Sequence, residues 1–198
     1  MEHLAKQKRS RERIKIILNT ANEILLVHGV EGITVANIAK HSSLKRTSTY
    51  KFFPTPDSLK AMMISCYLDE CLEELKNTSN NISTDQSSVV VMRCVEMLYN
   101  FFQRAKGAQI LILSNSLITP VPSKSLHEIS HQLQSLVESN INLPEMFNKD
   151  GVFRVFTQII ISIFALNTKE SGELNEVGKI EAQRAAHAYL LNWINQSS

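Results

Sequence analysis

The sequence predicts an all-α chain in two parts, a three-helix N-terminal domain over residues 1–55 and a larger C-terminal helical domain over residues 56–198. Apolar residues recur at i, i+3 and i+4 along most of its length, the spacing that gives a helix one buried face. Strand-like alternation is lacking, and prolines, glycines and polar clusters fall between the periodic runs, where helices end. Together these observations leave little room for a sheet.

The elements follow in order. A basic run, Lys6-Gln7-Lys8-Arg9-Ser10-Arg11-Glu12-Arg13, leads into an alanine-bearing first helix that ends at His28-Gly29. Thr34 stands where an N-cap belongs, its hydroxyl able to satisfy a free backbone N–H, and Val35, Ile38 and Ala39 form the buried face of a second, short helix. Ser42 and Ser43 break that run, Leu44 plugs the turn, and Lys45, Arg46, Thr47 and Ser48 open a third helix, with Tyr50 and Lys51 one turn later. Two short helices around a tight polar turn, with cations and an aromatic on the second, are the layout of a helix-turn-helix DNA reader. Base reading is expected from Lys45, Arg46, Thr47 and Ser48, with Arg46 suited to a bidentate guanine contact. Phosphate contacts are expected from Thr34, Tyr50 and Lys51, and the basic run reads either as an arm that meets phosphates or a minor groove or as the solvated start of the first helix. The competing reading of Tyr50 is packing on the first helix; Phe52 and Phe53 read as core.

Over roughly residues 10–62 the sequence resembles the TetR family of bacterial transcriptional regulators. The resemblance rests on Gly32-Ile33-Thr34-Val35, Ile38-Ala39, Tyr50, Phe53, and Asp57 with Leu59 opening the next helix. Three positions depart from the family pattern: Ser43 for the usual turn glycine, Thr49 for an aliphatic, and Pro56 for a lysine.

Pro56-Asp57 can start a helix that runs to about Lys76 on an apolar face of Leu59, Met62, Met63, Cys66, Tyr67 and Leu75. The polar stretch from Asn77 to Ser88 reads as a loop or a frayed helix start. A strong helix follows from about Asp85 to Arg104 with Val91, Val95, Leu98, Phe101 and Phe102 on one side, then a short one through Ile110, Leu111 and Leu113. Thr119-Pro120-Val121-Pro122-Ser123 stops it. Helical spacing returns from Leu126 to Leu143 and ends before Pro144. Residues 152–166 are apolar nearly all round, which predicts a helix buried on several sides and too short and interrupted to cross a membrane. After Gly172 a last helix runs from about Leu174 to Asn195, with Ala182, Ala185, Ala186 and Ala188 allowing close approach. The last two helices are expected to build a homodimer through a four-helix interface, the arrangement that the family resemblance also implies.

Charge is unevenly spread. Residues 1–60 hold 11 Lys/Arg against 5 Asp/Glu, net +6, and the rest hold 10 against 14, net −4. The basic end is the candidate nucleic-acid end. No apolar signal segment follows the charged N-terminus, so a cytoplasmic protein without a membrane partner is expected. Cys66, Cys71 and Cys94 form neither a CxxC pair nor a zinc-finger spacing and read as reduced, buried thiols.

One motif competes. His127-Glu128-Ile129-Ser130-His131 is a literal H-E-x-x-H, which on a helix puts both imidazoles on one face with Glu128 as a base. The metzincin continuation fails, because Gln134 and Val137 occupy the positions of the glycine and third histidine. No other catalytic pattern is present, so no enzymatic activity, cofactor or metal is expected, and a metal-dependent hydrolase is the distant alternative. A cavity among the C-terminal helices is expected to take a small apolar effector, lined by Phe101, Phe102, Leu113, Leu117, His127, His131, Phe153, Phe156 and Ile160, with Gln109 among the polar anchors; the competing reading of each is a dry packed core. The resemblance implies a repressor of a palindromic double-stranded DNA operator, released by that effector. The nearer alternative is a DNA-binding architectural factor without a small-molecule switch.

Overall fold

The structure is a computed structural model and describes residues 2–77, 85–114 and 123–195. Helices are the only regular elements among those residues, in the order α1 Glu2–His28, α2 Val35–His41, α3 Arg46–Phe52, α4 Pro56–Asn77, α5 Ser87–Arg104, α6 Lys106–Ala108, α7 Ser123–Glu138, α8 Lys149–Ser171 and α9 Glu176–Asn195. A single 3-10 turn, Val30–Gly32, joins α1 to α2, and a π-helical turn, Gln109–Ser114, extends α6.

α1, α2 and α3 pack on one another around Ile17, Leu25, Ile33 and Ile38, while α4, α5, α7, α8 and α9 build the larger body. α4 belongs to both, since Leu59 and Met63 join the same continuous core as Phe102, Phe156 and Phe164 of the body. The body is stitched by edge-to-face aromatic pairs, with Phe102 and Phe164 centred 6.3 Å apart and Phe153 and Phe156 5.8 Å apart. Gln109 is buried, and both ends of its amide are used: its nitrogen donates to the carbonyl of Phe102 and its oxygen accepts from the Leu174 N–H. It fastens the interior at both ends of the side chain.

The basic segment is the helical start of α1, one of its two readings. Two elements depart from the sequence reading. α7 stops at Glu138, five residues short of Leu143: the Asn140 side-chain amide takes the Leu136 carbonyl while its own backbone N–H bonds to Val137, which tightens the last turn. α8 is longer than the apolar run suggests, at 23 residues, and by length and composition alone would suffice to cross a membrane. It is buried on one side only, with Val155 and Leu166 about half exposed. Gly172 closes it at φ 80°, a left-handed conformation that reverses the chain into α9 without a Cβ penalty. Asn167 and Asn175 then hold the hairpin by exchanging hydrogen bonds.

In the N-terminal helices the Thr34 cap is as expected. Thr34 Oγ1 accepts from the Asn37 N–H at 3.1 Å, and Val35 and Ile38 are buried. Met62, placed on the apolar face of α4 by spacing, is 43% exposed instead. Cys71 and Cys94 are buried free thiols whose pKa burial pushes up to about 12, so they stay protonated and pack as small apolar groups.

Candidate nucleic-acid interface

The turn between α2 and α3 is made by residues that a helix would reject. Ser42 caps α2 with its N–H on the Ile38 carbonyl, and its hydroxyl accepts from the Leu44 N–H at 3.4 Å. Ser43 takes φ 57°, the left-handed region in which a glycine would sit without strain. Lys45 is extended, and α3 begins at Arg46. Leu44 and Phe52 pack against the core from either side, and Phe53 is buried beyond them. Thr49 is the one fully buried residue of α3, and its hydroxyl finds no hydrogen-bond partner. An aliphatic side chain would meet that environment without an orphaned polar atom.

With its inner side so anchored, α3 turns its remaining side chains outward. Lys45, Thr47 and Lys51 are exposed and Ser48 half-buried, and all four line a concavity of about 600 Å³. Arg13 of α1 reaches the same concavity, so it is lined by three cations and no acid. The sequence pointed to a basic run but not to the member that faces α3. Arg11 and Arg13 are two residues apart, about 200° around a helix, so the two cannot share one side.

Arg46 and Tyr50 sit apart from that concavity. The Arg46 guanidinium lies 5.5 Å from the centre of the Tyr50 ring and donates to its hydroxyl at 3.3 Å. Tyr50 is 41% exposed. Thr34 lies at the α2 cap; its oxygen accepts from Asn37, which leaves its own O–H free to donate.

The residues proposed as effector lining fall into three groups. Phe101, Phe102, Leu113, Phe153, Phe156 and Ile160 are all within the packed interior, each no more than 2% exposed. His127 and His131 are half-buried on α7, with Nε2 atoms 3.0 Å apart and rings at right angles. His127 borders an open concavity of about 450 Å³ with Lys124, Leu126, Arg154 and Gln158. Leu117 lies outside the described residues. Glu128, the would-be base of the H-E-x-x-H motif, lies 3.8 Å from Lys124. No group of three or more His, Cys, Asp and Glu side chains among the described residues is placed to hold a metal ion.

No family model matches the sequence, and no curated protein matches it. Solved structures do. A TetR-family transcriptional regulator from Pectobacterium atrosepticum superposes with a TM-score of 0.73 over 96% of this chain and 98% of its own, at 15% identity. One from Streptomyces coelicolor gives 0.66 over 91% and 99% at 16% identity, and one from Agrobacterium tumefaciens 0.57 over 92% and 96% at 18%. The fold is therefore the all-α fold of TetR-family transcriptional regulators from end to end.

Proposed function

We propose that a chain with this fold and this outward-facing α3 is a sequence-specific DNA-binding transcriptional regulator, working as a repressor on a palindromic operator. The observation that carries the reading is the convergence of Arg13 with Lys45, Thr47, Ser48 and Lys51 on one acid-free concave face. Such a face suits a phosphate backbone, whose contacts supply much of the affinity and fix register. Choice of sequence then falls to α3 in the major groove, with Arg46 released from Tyr50 to make two hydrogen bonds to a guanine.

One α3 reads only a few base pairs, so the proposal includes a homodimer. Exposed Val155 and Leu166 on α8 and Val177 and Ile180 on α9 supply apolar surface on the two C-terminal helices for a four-helix seam. A two-fold pair would set its α3 helices roughly 34–36 Å apart, or a multiple of that, to meet half-sites on one face of the duplex. Residues 1–55 act as reader and residues 56–198 as dimerisation and effector domain. Release by a small effector needs only different affinities for two dimer states, and about 2.7 kcal/mol gives a hundredfold change in operator affinity.

The test is fluorescence anisotropy on the DNA upstream of the gene, over a salt series, with scrambled DNA and Arg46→Ala beside wild type. Specific, salt-sensitive binding that Arg46→Ala loses supports the reading. Equal binding to scrambled DNA at every salt concentration, there and in a genome-wide binding selection, would sink it.

A further inference from the structure

A second concave site lies away from the reader face. Between α1 and α4 a groove of about 340 Å³ opens, a size within the range of small-molecule sites. Its walls are apolar: Ile14 and Leu18 from α1, Met63 and Cys66 from α4. The Cys66 thiol belongs with them chemically, since burial first and the nearby carboxylates of Asp69 and Glu70 second push its pKa up and keep it neutral. At one place the groove is floored by a polar tie, the Tyr67 hydroxyl donating to Asn22 Oδ1 at 2.5 Å. Burial pushes the Tyr67 pKa up to about 12, so it remains a donor and the tie remains intact.

The polar rim decides what the groove would take. Arg11 and Lys15 stand one helical turn apart on α1, both exposed, and neither enters an ion pair among the described residues. Opposite them is one carboxyl, Glu70, whose charge is disfavoured by burial and by its neighbour Glu74. Two cations against one acid give the mouth a net positive charge beside apolar walls.

We propose that the α1–α4 groove is a ligand site for an amphipathic organic anion, its apolar body between Leu18 and Met63 and its acid group at Arg11 and Lys15. α1 carries Arg13 to the reader face while α4 runs on into the body, so an occupant of the groove bears on a contact between the two. The regulatory part of this proposal rests on the DNA-binding reading above; the binding part does not.

Isothermal titration calorimetry of the full chain separates the two. The probes are sodium decanoate and decyltrimethylammonium bromide, matched in chain length and opposite in charge, both below their micellar concentrations. Decanoate is expected to bind saturably, one per chain, and decyltrimethylammonium at least tenfold more weakly. Reversing two exposed charges with Arg11→Glu and Lys15→Glu is expected to weaken decanoate at least tenfold with the helical circular dichroism unchanged, and Leu18→Trp to abolish binding by filling the groove. Absence of saturable decanoate binding, equal affinity for both surfactants, or an unchanged affinity in the charge-reversed variant would each overturn the site. Decanoate is then added to the operator anisotropy assay, where a tenfold or greater shift supports the coupling. Binding by calorimetry without any such shift would overturn the coupling and leave the site standing.

Discussion

Of the seven residues of α3 only Thr49 is buried, whereas ten of the 23 in α8 are. Yet α3 is the element on which the proposed chemistry rests, and α8 contributes four fully covered phenylalanine and isoleucine side chains, Phe153, Phe156, Ile160 and Phe164, to the core. The difference teaches that stability and recognition are carried by separate helices, so mutations should separate them too. α3 even tolerates a buried hydroxyl without a partner and a left-handed serine at its entrance, costs that the body can absorb.

The strongest way to break the comparison is Phe156→Ala. With no exposed surface on Phe156, truncation should cost about 3–5 kcal/mol in urea denaturation, because it removes transfer energy and leaves a cavity. A cost under about 1 kcal/mol would mean that the body is loosely packed there. Arg46→Ala should do the reverse, with operator affinity falling by about 1–3 kcal/mol in anisotropy and stability held within about 0.5 kcal/mol. Thr49→Val sharpens the contrast: a near-isosteric methyl in place of the orphaned hydroxyl should raise stability by about 1 kcal/mol without changing the reader face. Ser43→Gly should add up to about 1 kcal/mol by relieving φ 57°, read as a higher melting temperature. The smallest effect is expected for Lys51→Ala, which should weaken all DNA sequences alike and reduce the slope of log affinity against log salt by about 1.

Much of this arrangement was legible in the residues because its causes are local. The cap at Thr34, the break at Ser42-Ser43, the end of α1 at His28 and the buried stripe of α5 depend on neighbours a few positions away. Features set by competing local bonds were harder to read. The proline at 144 drew the expected end of α7 towards it, while the Asn140 side chain had already taken the Leu136 carbonyl. Features set by distance between helices were not legible at all. Nothing in the run from Lys6 to Arg13 says which cation meets α3, and nothing near Asn22 or Tyr67 says that the two touch across 45 positions. The stacking of Arg46 on Tyr50 falls between these cases, since i, i+4 spacing permits the contact but does not require it.

The short helix α6 carries a consequence for how this protein could be altered by chance or by selection. A Cβ on Gly107 would lie 1.9 Å from the Tyr67 hydroxyl and 2.8 Å from Asn22 Oδ1. Even alanine at 107 would therefore have to displace a hinge tie between first helix and body, at a position far from α3 in the chain. Selections for regulators locked in one output state should return lesions at position 107, in cells where α3 itself is untouched.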